Sequence, residues 1–149
     1  MNNTIDIRSM GILLEAVEPT KKNKDLSNFS CSWWAWKPIV KLLSLEDKFS
    51  TELVMSLSHN SCKTVNFKHA KKIAHFLKLK LLNLEDNKNY LTLDGFCTIN
   101  PIDQYRTKGC VSGENFIKAV DNDHVWVVHK DKILNLINFL NSSRGFTIY

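Results

Sequence analysis

An α+β domain, mostly helical, with about five helices and a small sheet formed by the terminal strands, is the fold that this sequence predicts. Three observations carry it. Apolar residues recur at helical spacing in several well-separated segments. Alternating or β-prone runs stand near both ends of the chain, in "IDIRSMGILLEA" and "FTIY". A chain of 149 residues that is 44% hydrophobic and 23% charged is long and apolar enough for one buried core spanning 1–149.

The elements follow in order. "IDIRSMGILLEA" reads as a strand with Gly11 as a bulge or bend. "PTKKNKDLSN" is polar, proline-led and lysine-rich, a surface loop. In "SWWAWKPIV" (Ser32–Val40), a helix through the tryptophans would place Pro38 in its interior, at about 3 kcal/mol. The reading is therefore a helix "PIVKLLSL" that starts at Pro38, with Trp33 to Trp36 extended ahead of it. On an extended segment Trp34 and Trp36 share a side. Because each indole can bury up to ~250 Å², these two are expected in the core and Trp33 at its edge.

"EDKFSTELVMSLS" is the second helix, on Phe49, Leu53, Val54 and Leu57. The third, "FKHAKKIAHFLKLKLLN", follows Asn66 as N-cap. Ala70, Ile73, Ala74, Leu77 and Leu81 form its apolar stripe, with Lys68, Lys71, Lys72 and His75 opposite. Phe76 and Leu79 fall among or beside the lysines. "NYLTLDGFCTI" reads as a hairpin around Asp94-Gly95, "GENFIKAVD" as a short helix, and "HVWVV" as a strand or helix lead-in. "KDKILNLINFLNSS" is the last helix, with Gly145 as its C-cap. "FTIY", with Phe146 inward, is a strand paired with the N-terminal one.

The formal net charge is +5, which suits an acidic partner. Its placement is more informative. Lys63, Lys68, Lys71, Lys72, Lys78 and Lys80 lie in one segment with no acid among them. The start of the chain lacks a basic stretch followed by a long apolar run, and no apolar run approaches membrane-spanning length. A cytoplasmic protein with free thiols at Cys31, Cys62, Cys97 and Cys110 is the expectation.

Catalytic and metal signatures are sparse. "HNSC" offers His59 and Cys62 as one close pair, whereas zinc sites are usually announced by two. No "GxSxG", "HExxH" or glycine-rich phosphate loop occurs, and Gly totals five. His69 and His75 lie about 120° apart around their helix and do not converge on one atom. No cofactor and no metal is expected, although distant Cys and His residues can still assemble a centre in three dimensions. For nucleic acid, the lysine-rich helix supplies phosphate contacts but no arginine, the usual reader of base edges.

The residues "WWAWKP" near the start and "NFLNSSRGFTIY" at the end resemble a set of small bacterial and prophage proteins. Those carry W-x-W-[RK]-P and F-x-x-F-x-x-x-S-G-G-F-x-I at matching places. Arg144 departs from the pattern where a glycine is usual, and so does Cys62 at a turn. The set is similar to toxin-immunity proteins, so the resemblance implies an inhibitor that binds a cognate toxin. Three functions follow as expectations. The first is a non-enzymatic protein-binding module of the immunity kind, meeting an acidic toxin surface through Lys68, Lys71, Lys72, His75, Phe76, Lys78 and Leu79. The second is a phage or host-defence accessory protein binding nucleic acid or a nucleoprotein through the same helix. The third is a small enzyme with a Cys/His centre. Oligomeric state stays open.

Overall fold

The computed structural model describes residues 11–17, 27–85, 87–101 and 126–149. Among them are four helices and seven strands in two antiparallel sheets. This overturns the expectation of about five helices and one small sheet. The α+β class itself stands. The expected helix "GENFIKAVD" and most of the "PTKKNKDLSN" loop lie outside the described residues.

The larger sheet is built from β1 (Gly11–Ala16), β2 (Asn28–Ser32), β3 (Thr64–Asn66) and β7 (Gly145–Ile148), in the order β2-β1-β7-β3. The expected pairing of the last strand with the first is present, with Leu14 opposite Ile148 and Ala16 opposite Phe146. One face of this sheet is apolar: Ile12, Leu14, Phe29, Cys31, Val65, Phe146 and Ile148 are all buried. The opposite face carries groups such as the Thr64 and Thr147 hydroxyls, 3.0 Å apart. The period of two in "NFSCS", buried at Phe29 and Cys31 only, shows a strand covered on one side.

The second sheet holds β4 (Tyr90–Thr92), β5 (Gly95–Cys97) and β6 (Val127–His129), in the order β5-β4-β6. The β4–β5 hairpin is the one expected around Asp94-Gly95. Gly95 takes φ +119°, which few other residues adopt. Sequence reading found this hairpin and offered a strand in "HVWVV" but did not join them into a second sheet, because three-residue strands leave almost no periodicity from which pairing can be read.

Four helices cover the apolar face: α1 (Trp33–Ser44), α2 (Thr51–Leu57), α3 (Phe67–Leu82) and α4 (Lys130–Ser142). The α1 start is a correction. The helix begins at Trp33 and carries Pro38 inside it. Ser32 is the N-cap, its hydroxyl accepting from the Ala35 N–H at 3.3 Å. The proline lies only in the second turn, so one ladder bond is lost, and tertiary burial of Trp36, Pro38, Ile39, Val40 and Leu43 outweighs it.

The helical path also re-sorts the tryptophans. Trp36 is in the core at 2% exposure, as expected. Its Nε1–H donates to the Leu57 carbonyl at 2.7 Å, satisfying one of the carbonyls that the end of α2 leaves without a partner. Trp34, expected beside it, is 39% exposed. It rests against Trp126, with ring centroids 4.6 Å apart. Two residues apart on a helix is about 200°, so the two indoles point to opposite sides rather than sharing one.

Gly145 is a second correction. The α4 C-cap is Ser143, in extended backbone. Gly145 opens β7 with φ +104°, and a Cβ there would sit 2.7 Å from the Val65 carbonyl oxygen. Its role is close strand approach. Phe146, as expected, is core, in contact with Phe139 at 6.0 Å between centroids.

Candidate functional site: the outer face of α3

Asn66 starts α3 as expected, its side chain accepting from the His69 N–H at 2.9 Å. From there the sequence splits the helix cleanly. Ala70, Ile73, Ala74, Phe76 and Leu77 are buried. Lys68, Lys71, Lys72, His75, Lys78 and Leu79 are exposed. At 100° per residue those six fall within one arc of about 120°, so they form a continuous strip. Lys68 to Lys78 spans about 15 Å along the axis, less than two Debye lengths at physiological salt, so the charges act together on an approaching partner.

Phe76 does not belong to that strip. At 3% exposure it is in the core, edge-on to Phe49 with centroids 5.3 Å apart. The reason is the connection between α1 and α2, which lies against this flank of α3. Lys80 pairs with Glu46 at 3.6 Å. Lys72 Nζ donates to the Lys48 carbonyl, and the Lys48 amine sits 4.9 Å from the Phe76 ring centroid. A helical wheel drawn for α3 alone does not show a loop packing on its side.

Two exposed apolar residues that sequence reading passed over do belong. Phe67, the first residue of α3, is 47% exposed, with the Lys71 amine 5.1 Å from its ring centroid. Leu82, in the last turn, is 69% exposed. Leu82 falls inside the arc of the lysines and Phe67 about 20° beyond its edge, and extending the polar stripe to the helix ends would have found them. The resulting surface interleaves four ammonium groups with Phe67, Leu79 and Leu82. Among the described residues, Lys68, Lys71, Lys72 and Lys78 form no ion pair with the protein's own acids.

The other candidate chemistry is placed as follows. His59 and Cys62 are both exposed on the turn before β3, where Cys62 takes φ 57°. Among the described residues no three His, Cys, Asp or Glu side chains gather into a group that could hold a metal. His69 and His75 remain apart on α3, with His69 half-buried and His75 exposed. Cys31 is buried under the helices, and burial pushes its thiol up to about 12 against a weaker downward pull from Lys132. Such a thiol stays protonated at neutral pH and is a poor nucleophile. No helix among the described residues is long and apolar enough to cross a membrane. Compared with known proteins, the chain matches no family model, no curated protein and no solved structure.

Proposed function

We propose that this protein is a non-enzymatic binding module that meets an acidic protein surface through the outer face of α3, in the manner of an immunity protein occluding the active site of a cognate toxin in the cytoplasm. The observation that supports it most is the composition of that face. Lys68, Lys71, Lys72 and Lys78 share one strip with exposed Phe67, Leu79 and Leu82, and the protein's own acids leave the four amines uncompensated among the described residues. A solvated lysine face needs no exposed phenylalanine or leucines. Charge with embedded apolar anchors is the make-up of an interface, where the charges speed encounter and the apolar groups slow release. The immunity role draws on the resemblance of the "WWAWKP" and "NFLNSSRGFTIY" segments. Inhibitors of nucleases are typically acidic, so this basic face fits a toxin with an acidic surface or a toxin that is not a nuclease.

The test is the triple reversal Lys68→Glu, Lys71→Glu, Lys72→Glu, assayed by protection of cells expressing the product of the adjacent gene. Loss of protection with an unchanged unfolding midpoint is the expected result; full protection by the triple variant would remove this face from the reading. Duplex DNA and single-stranded RNA, titrated at rising salt, separate the second reading. Affinity that falls steeply with salt, with a slope set by the number of phosphates contacted, would make the same lysines a nucleic-acid site.

A further inference from the structure

A cleft of about 480 Å³ opens between the C-terminal part of α3 and the outer stripe of α4. Leu81 and Leu82 line it from α3, Leu134 and Ile137 from α4. The turn after α3 closes one end. Asn87 there takes φ 73°, and the Lys130 N–H, the first of α4, donates to the Asn89 carbonyl at 2.8 Å. The two walls are thus tied together by backbone at that end.

The rim differs from the floor. Lys78, Lys88 and Lys130 supply three ammonium groups. Among the described residues the carboxylate at the rim is Glu85, paired with Lys88 at 3.7 Å. Lys78 and Lys130 have no ion-pair partner among the described residues. A net positive mouth therefore stands over an aliphatic floor, with the Asn138 and Asn141 amides beside it. The volume is that of a small-molecule site. Among the described residues its floor has no aromatic ring on which a base would stack.

From this complementarity we infer that the cleft binds a monomeric aliphatic carboxylate, its head group between Lys78 and Lys130 and its tail along Leu81, Leu134 and Ile137. Lys130 to Ile137 is two turns of helix, about 10 Å, the extent of a chain of roughly eight to ten carbons. The inference goes beyond the protein-binding proposal and shares Lys78 and Leu82 with it. Either can fail while the other stands, because the triple reversal on α3 leaves Lys78 and Lys130 in place.

Decanoate, titrated calorimetrically below its micelle concentration into the purified chain, is the probe. Saturable binding of one molecule per chain is expected. Affinity should rise roughly three- to fourfold per methylene from hexanoate to decanoate, the value of burying each group. Lys78→Glu combined with Lys130→Glu should weaken decanoate about tenfold, and the more exposed Leu134→Glu should abolish binding while circular dichroism stays unchanged. Equal affinity for decanol overturns the inference, as does unchanged binding by Leu134→Glu. It is also overturned if the wild-type chain shows no saturable binding, or binds vesicles of anionic phospholipid but not free decanoate.

Discussion

The tryptophan-bearing helix α1 and the lysine-bearing helix α3 solve the same problem from opposite sequences. In α3 the apolar and charged residues alternate with helical period, so the buried and exposed arcs separate along the whole element. In α1 three indoles stand within four positions, and no single face can hold them. The fold sends them apart: Trp36 inward to the Leu57 carbonyl, Trp34 outward to Trp126, Trp33 to the half-buried border. Where residues are periodic, the face is decided locally, with Phe76 at its border the exception. Where they are clustered, distant residues decide, here Leu57 and Trp126. Substitutions in α1 should therefore act on stability in very unequal ways, and substitutions on the outer face of α3 hardly at all.

The largest effect is expected for Trp36→Ala, which empties a core position and leaves the Leu57 carbonyl without its donor. A loss of about 3–5 kcal/mol in denaturant unfolding is expected, and a cost below that of Trp34→Ala would break the contrast between the two indoles. Gly145→Ala comes next. It forces a Cβ against the Val65 carbonyl at positive φ, at a cost of about 1–3 kcal/mol, read from the same unfolding curves. Trp34→Ala removes a ring pair at the surface and should cost about 0.5–1.5 kcal/mol; a Trp126→Ala partner variant in a double-mutant cycle shows whether that cost belongs to the pair. Smallest at neutral pH is Cys31→Ala, whose effect should depend on pH. Between the ordinary value of 9.0 and about 12 the unfolded chain has lost the thiol proton and the folded chain keeps it. Stability then falls as pH rises across that window, and the fall should be shallower in the alanine variant. In the native protein at pH 8, iodoacetamide should modify Cys62 and spare Cys31.

How much of this was legible in the sequence depends on the same distinction. The α3 limits, its Asn66 cap, the hairpin at Asp94-Gly95 and the pairing of the last strand with the first all follow from local signals that the fold respects. Pro38 misled because a proline rule written for isolated helices ignores the burial that the proline and four neighbouring residues gain. Phe76 misled because the loop that covers it comes from residues 46–49, more than twenty positions earlier. Gly145 was correctly singled out and wrongly explained, since the nearby atom that requires it, the Val65 oxygen, belongs to another strand. The cleft between α3 and α4 had no signature at all, being made of two stripes 50 residues apart.

The strand order β2-β1-β7-β3 has a bearing on how the molecule is assembled during synthesis. β1 and β3 do not pair with each other and join one sheet only when β7, built from residues 145–148, slots between them. The early part of the chain must then wait on the ribosome with an unpaired edge on β1 and Val65 unsheltered, and a nascent chain stalled before Gly145 should be cut by protease where the released chain resists.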